Sequence, residues 1–438
     1  DVENSLNDAR HAFNEWSRIS LVERIQYVTK FIEVIENEKD VIAEEITWQM
    51  GRPLSQSPWE VNGFVSRARY MLEIAESSLS SYSPAEIEGF ERWIDHEPLG
   101  VVTILSPWNY PFLTSVNAIV PALVAGNSVI LKHSFQTPLV AERYLKAAQV
   151  AGFPKGVFKI LHIDHQKTAI LTSHKQVDGV FFTGSVEGGF AVQKSLNDKF
   201  IPCGLELGGK DPAYVREDAD LDYSVNNLVD GSFFNSDQSC CGIERIYVHE
   251  RLYDQFVDGF VDLTKKYILG NPLDSNTTLG PMVKTSAADF VRNQIEQAKR
   301  SGAKALVDEK LFTASENGTP YLAPQVLVGV DHTMAVMSEE SFGPVVGIMK
   351  VKNDEEAVTL MNDSKYGLTA SIWTENEEEA RVVGRLVQTG TLFMNRCDYL
   401  DPALAWTGVK STGRGVTLSR LGYEHVTRPK SYHFKLRK

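Results

Sequence analysis

Cysteine is scarce in this chain: Cys203, Cys240, Cys241 and Cys397 are the four present in 438 residues. Two are adjacent and no pair has a CxxC spacing. A disulfide framework and a structural zinc site are therefore not expected, whereas a reducing compartment, the cytoplasm, is. The histidines show no metal spacing, and His162 and His165 lie close together without partner ligands, so no metal is expected. No apolar run reaches the ~18 residues that a membrane span needs. Asp1 to Arg10 is polar and holds no apolar signal core. Positive charge is in the minority, with 44 Lys and Arg against 57 Asp and Glu, for a net charge of −13. That balance argues against nucleic acid or an anionic membrane as a partner. A GxGxxG fingerprint, a long internal repeat and a low-complexity linker are also lacking.

What is present is ordinary globular material, 43% hydrophobic and 23% charged. At roughly 150 residues per domain, the length suggests two or three domains. Ser20-Leu21-Val22-Glu23 reads as a capping box, the serine capping a helix and the glutamate reaching back. Ile25, Val28, Ile32 and Ile35 follow at helical spacing. A second helix through Val41, Ile42 and Ile46 ends near Gly51, with Pro53 beyond. From residue 100, short β-rich runs take over: Val101–Leu105, Ser128–Leu131, Val157–Leu161, Val180–Phe182, Arg245–Val248, Val345–Val351 and Thr391–Met394. Helical stretches such as Leu139–Ala151 and Val186–Leu196 lie between them. The alternation predicts an α/β fold with parallel sheets and helices on their faces. At the end, Tyr432, Phe434 and Leu436 alternate with His433, Lys435 and Arg437, a strand with one apolar face. It needs a partner, either a hairpin around residues 80–98 or another subunit.

Several segments have residues suited to chemistry. Cys240 sits in a polar run, Asn235 to Gly242, with Arg245 just after it. It is a candidate nucleophile, and a buried structural thiol is the ordinary alternative. Glu206 precedes Gly208-Gly209-Lys210; it is a candidate general base, or an acid on a turn. Phe182-Thr183-Gly184-Ser185 runs from a strand into a helix start, where backbone amides and a hydroxyl can hold phosphate, or where glycine merely turns the chain. Ser106-Pro107-Trp108-Asn109-Tyr110-Pro111 is rigid and aromatic, and Asn109 offers an amide donor for an oxyanion. Lys132 ends a strand and can meet a ribose or phosphate, or lie on the surface as a plain charge.

In this order the segments resemble the aldehyde dehydrogenase superfamily, from residue 7 to the C-terminus. The matching pieces are SPWNYP (106–111), LK with QTP (131–138), FTGS (182–185), ELGGK (206–210), QSC with Arg245 (238–245), EESFGPV (339–345) and Asn395 ahead of GVK (408–410). Cys240 and Glu206 also stand 34 positions apart, as the family has them. The resemblance implies a Rossmann-like cofactor domain (1–79 and 99–207), an α/β catalytic domain (208–415) and a small β oligomerisation sheet (80–98 and 416–438). It implies oxidation of an aldehyde to a carboxylic acid with NAD or NADP, in a homodimer or homotetramer. Cys240 matches the nucleophile, Glu206 the base, and Asn109 with the Cys240 amide the oxyanion hole. Trp108, Lys132, Gly184, Ser185, Glu340 and Phe342 match cofactor contacts. Lys210 matches a lysine with a structural or proton-relay role. The presence of Glu206 favours release of the thioester by water over transfer to coenzyme A or phosphate. An acyl-transferring relative and a non-catalytic nucleotide-binding or structural relative are the alternatives.

This sequence also departs from the family pattern. Asp237 stands where a glycine is usual, and a carboxylate there would raise the pKa of the thiol. Phe135 stands where NAD-preferring members carry a glutamate, which leaves NADP open. His162-Ile163-Asp164-His165 replaces a glycine pair, and Thr407-Gly408 another. Tyr110, Thr114, Asn117, Phe234, Leu400 and Trp406 fall at substrate-pocket positions. Asn117 stands where succinic semialdehyde dehydrogenases tend to carry an arginine. An aromatic pocket with few charges is expected, and with it an apolar aliphatic or aromatic aldehyde, Arg396 being the one nearby cation.

Overall fold

A computed structural model describes residues 1–436. Its strands are β1 (Phe90–Pro98), β2 (Val101–Ser106), β3 (Ser128–His133), β4 (Phe158–Ile160), β5 (Gly179–Thr183), β6 (Cys203–Glu206), β7 (Asp211–Val215), β8 (Ile243–His249), β9 (Lys304–Ala305), β10 (Gln325–Val328), β11 (Val345–Val351), β12 (Thr369–Trp373), β13 (Thr391–Met394), β14 (Gly413–Arg414) and β15 (Thr427–Lys435). They form three sheets: β14-β6-β5-β2-β3-β4, β13-β12-β7-β8-β11-β10-β9, and the pair β1-β15. The two large sheets are parallel except at the short edge strands β14 and β9. The fold is that of an α/β protein with helices packed on parallel sheets.

The capping box forms as expected: Glu23 N donates to Ser20 Oγ at 3.3 Å, and Ser20 N donates to the Glu23 carboxylate at 3.2 Å. It starts the helix Leu21–Asn37. The next helix, Lys39–Met50, stops at Gly51, whose φ of 85° places it in left-handed backbone. A Cβ there would sit 2.8 Å from Pro281, so glycine is required on both counts. Helices Leu21–Asn37, Pro58–Glu73 and Pro111–Ala125 pack together into the largest apolar cluster, which lines one face of the six-stranded sheet.

The order of that sheet sets the site. From β2 the chain moves outward to β3 and β4, then returns to the other side for β5 and β6. A switch of direction of this kind opens a crevice at the strand C-termini. Ser106, Thr183 and Glu206 end neighbouring strands at that edge. From Glu206 the chain crosses through Leu207 to Lys210 into β7 of the second sheet.

Some elements escaped the sequence reading. β7, β10 and β12 gave no alternating pattern, because their residues are buried on both faces or carry Asp, Pro, Ser and Thr, and β6 is only four residues long with a glycine inside. Pro212 lies inside β7, where the register against β8 slips between Asp211 and Pro212. A bulge is where a central strand tolerates proline. Helix Pro111–Ala125 follows the SPWNYP turn and is apolar on nearly every side, so it shows no amphipathic period. The terminal strand β15 pairs antiparallel with β1, from Phe90 opposite Lys435 to Pro98 opposite Thr427. Trp93 stacks on Tyr432 with ring centres 4.4 Å apart. Leu436 lies just past the strand, and Arg437 lies outside the described residues.

Candidate active site

The nucleophile candidate stands on a clamped, strained turn. Asn235, Ser236 and Asp237 have φ of 53°, 55° and 56°. Left-handed backbone costs an L-residue roughly 1–2 kcal/mol, so the surroundings must hold the segment. Ser236 Oγ donates to the Gly280 carbonyl at 2.8 Å, and Gln238 accepts from Val283 N at 2.8 Å while donating to the Asn235 carbonyl at 3.1 Å. Asp237 is buried and neither carboxyl oxygen has a partner. Burial, reinforced by Glu244, pushes its pKa well above the usual value. Burial thus favours the neutral acid at Asp237 over the negative charge expected beside the thiol. Next to the half-buried Cys240, the Cys241 thiol donates to Asp398 at 3.0 Å, and Ser239 Oγ donates to the same oxygen at 3.0 Å. A hydrogen bond with Cys240, then burial, raises the Cys241 pKa well above that of an ordinary thiol.

Glu206 ends β6, and its carboxylate accepts from Thr417 Oγ1 and, at 3.1 Å, from Thr183 Oγ1. Burial raises its pKa; the two threonines and, more distantly, Arg67 pull it back. Cys240 and Glu206 line one cavity of about 820 Å³, together with Tyr110, Thr114, Asn117, Phe234, Leu400 and Trp406. Every substrate-pocket residue expected from the sequence faces this space.

The glycine pair after Glu206 has a steric cause. A Cβ on Gly209 would lie 2.3 Å from the Cys240 carbonyl oxygen, and one on Gly208 would lie 2.3 Å from the Glu340 carboxylate. Backbone here passes directly beneath the nucleophile and beneath Glu340. Lys210, fully buried, pairs with Glu244 and donates to Ser341 Oγ at 3.0 Å. Glu244 in turn accepts from Ser341 N and Phe342 N at 2.8 and 2.9 Å. The lysine anchors the Glu340–Phe342 segment, in which Phe342 has a φ of 52°. Arg245 is an anchor as well, donating to the carbonyls of Lys210, Leu360 and Met361 at 2.9 to 3.2 Å.

Asn109 is buried, and its side-chain amide donates to the Gln238 carbonyl at 3.0 Å. The donor thus lies against the turn that carries the thiol. Its own carbonyl accepts from Arg52, whose guanidinium pairs with Glu60 at 2.6 Å and lies over the Tyr110 ring at 4.5 Å. Glu60 also accepts from Phe112 N and Leu113 N, both at 2.9 Å, and so caps the helix that follows Asn109.

The cofactor candidates gather on the other side. Ser185 and Glu340 line a second hollow of about 480 Å³ with Glu187, Phe290, Gln294 and Tyr366. Ser185 caps the helix Val186–Ser195 by accepting from Gly188 N at 3.1 Å. The ring of Trp108 meets Phe342 edge-on, 5.6 Å apart. Lys132, half-buried near the end of β3, makes no ion pair or hydrogen bond among the described residues, and burial lowers its pKa. Glu340 accepts from Gly209 N at 3.0 Å; burial, then Glu244, pushes its pKa up to about 8. An unpaired cation, a capped helix start and a carboxyl beside an open hollow fit a nicotinamide dinucleotide. Gly184 has a packing reason of its own, since a Cβ there would lie 2.5 Å from the Phe182 ring.

One expectation is corrected here. The substrate cavity is not poor in charge: Arg52, Glu60, Arg67, Asp230, Arg396 and Asp398 line it along with the aromatics. Most come from segments with no recognisable motif. Glu60 and Arg67 do leave a trace, because they share the buried face of helix Pro58–Glu73 with Val61, Phe64, Ala68 and Met71. Charges at core positions of an amphipathic helix are a usable signal.

Comparison with known proteins identifies the family. The aldehyde dehydrogenase family model matches residues 1–432. The chain is 31% identical to the succinate semialdehyde dehydrogenase [NAD(P)+] of Escherichia coli K12, over 96% of this chain and 90% of that protein. It is 33% identical to the mitochondrial aldehyde dehydrogenase of Homo sapiens, over 100% of this chain and 85% of that one. The crystal structure of the betaine aldehyde dehydrogenase of Staphylococcus aureus in complex with NAD+ superposes with a TM-score of 0.94, at 30% identity, covering 100% of this chain and 88% of that one. The chain belongs to the aldehyde dehydrogenase family and is an NAD(P)-dependent enzyme of it.

Proposed function

We propose that the enzyme oxidises an aldehyde to a free carboxylic acid through a covalent intermediate on Cys240. The carrying observation is that Cys240 and Glu206 face one cavity, with Asn109 held against the Cys240 turn. The Cys240 thiolate attacks the carbonyl carbon; the C–S bond forms and the oxygen takes the charge. The Asn109 amide and the Cys240 backbone N–H donate to that oxygen. NAD(P)+ would supply the hydride acceptor that this oxidation needs. Ser185 and Glu340, which line the adjoining hollow, would hold it together with Trp108, Lys132, Gly184 and Phe342. Glu206 then takes a proton from water, which attacks the thioester; the C–S bond breaks and the thiol is restored. A carboxylate with a raised pKa is suited to that task, and it supports hydrolysis over transfer to coenzyme A or phosphate. The same residues speak against a merely structural relative.

The family-derived division into a cofactor domain (1–79 and 99–207), a catalytic domain (208–415) and an oligomerisation sheet (80–98 and 416–438) follows the three sheets, apart from β14. A two-stranded ribbon is marginal alone, and Phe434 is 49% exposed on it, so β1-β15 is the surface for a second copy. Four free thiols suit the cytoplasm. The apolar-aldehyde expectation loses its premise with the charged lining. Aldehyde-dependent formation of NADH and NADPH by wild type and Cys240→Ala tests the proposal. Wild type forms one or both and the variant forms neither; equal rates would refute the thiol mechanism.

A further inference from the structure

Arg67, in the wall of the cavity, is a buried cation that makes no ion pair among the described residues. It is 8% exposed, and both hydrogens of its Nη1 are used, on the Leu113 carbonyl and, at 3.4 Å, on Asn117 Oδ1. Its Nε and Nη2 donors meet no acceptor, and no carboxylate lies within 4 Å, among the described residues. Its neighbour in the wall, Arg52, is by contrast neutralised by Glu60. A buried guanidinium stays charged, and leaving it unpaired is costly unless something else completes it.

The rest of the lining points to what completes it. Asn117 Nδ2, beside Arg67, and Tyr110 Oη, elsewhere on the cavity wall, are buried donors without partners among the described residues. Burial raises the pKa of both Asp230 and Asp398, which favours the neutral form of each. Arg396, exposed and stacked on Tyr399, adds a second unpaired cation. Glu60 first, then Cys241, Glu206 and Cys240, act on Arg67 through their charges. Arg67, Cys240 and Glu206 line the same cavity.

We propose that Arg67 binds an anionic group, most simply a carboxylate, at the end of the substrate remote from the aldehyde. The inference rests on the proposed oxidation and adds a substrate class to it. The cation comes from helix Pro58–Glu73 and reaches position 117 across the cavity, so the site owes nothing to the side chain at 117 being basic. A carboxylate seated there accepts charge-assisted hydrogen bonds from Nε and Nη2 and removes an uncompensated buried charge.

The test compares 4-oxobutanoate with butanal, which match in chain length and differ in the carboxylate. Wild type is expected to favour 4-oxobutanoate in kcat/KM by about a hundredfold or more, the low end for a buried, hydrogen-bonded charge pair. In Arg67→Met that ratio falls at least about tenfold, through KM rather than kcat, and Arg67→Lys recovers part of it. Succinate, which cannot react, supplies an equilibrium reading: calorimetric binding to wild type that is lost in Arg67→Met. Oxidation of both aldehydes with no preference, or with butanal preferred, overturns the anion site and leaves aldehyde oxidation standing. Succinate binding that needs Arg67, without oxidation of any aldehyde, overturns the oxidation instead. Binding of succinate unchanged by Arg67→Met overturns the assignment to this residue.

Discussion

Replacing Asp237 by asparagine changes little except whether one buried group can ionise. The carboxyl is enclosed, lacks hydrogen-bond partners, and is held well above its ordinary pKa by burial and by Glu244. An unfolded chain loses this proton near the ordinary carboxyl value, while the native chain keeps it. Above that value the unfolded state binds fewer protons than the native one, so stability declines with rising pH until the native group itself ionises. Each pH unit inside that window costs about 1.4 kcal/mol. Asparagine has nearly the same shape, carries no proton to lose, and accepts the left-handed backbone at φ 56°. Urea unfolding followed by tryptophan fluorescence, at about pH 5 and about pH 7, compares the two. The advantage of Asp237→Asn should widen between them by up to about 2.7 kcal/mol. Curves that stay parallel would mean that Asp237 ionises normally, and the picture of a neutral acid beside the Cys240 turn would be wrong.

Glu60→Gln strands the fully buried Arg52; breaking such a pair costs about 3–5 kcal/mol, so the urea midpoint drops, and an unchanged midpoint contradicts the burial of that pair. Thr417→Val removes a donor that favours ionised Glu206. The acid limb of thioester hydrolysis, already above the ordinary glutamate value, should then move to higher pH; a move to lower pH refutes the role of Thr417. Gly209→Ala forces a methyl within 2.3 Å of the Cys240 carbonyl oxygen, and a displacement of that order should cut kcat about a hundredfold. Full activity with no backbone shift would dispose of that steric account.

The sequence disclosed this site unevenly. Cys240, Glu206 and Asn109 were legible because each sits in a short motif whose neighbours are constrained: Gly208 and Gly209 by contact, Asn109 by the turn before a helix. The strands around them were legible where apolar runs were bounded by turns, and illegible where burial on both faces erased alternation, as in β12. The wall of the cavity was hardest to read. Glu60 and Arg67 act from a helix more than a hundred residues before Cys240, and only the fold brings them there. Arg52 carries no motif, yet it is 1% exposed and donates to the Asn109 carbonyl. Nothing near Lys210 in the sequence signalled its pairing with Glu244, 34 positions on.

The central claim is that Cys240 becomes acylated and that Glu206 serves to release the acyl group. Glu206→Gln, mixed with NAD(P)+ and an aldehyde it oxidises, quenched in acid and digested, tests this directly by peptide mass. The account predicts one burst of reduced cofactor and an acyl group on the peptide containing Cys240. Steady turnover at the wild-type rate with that peptide unmodified would contradict it.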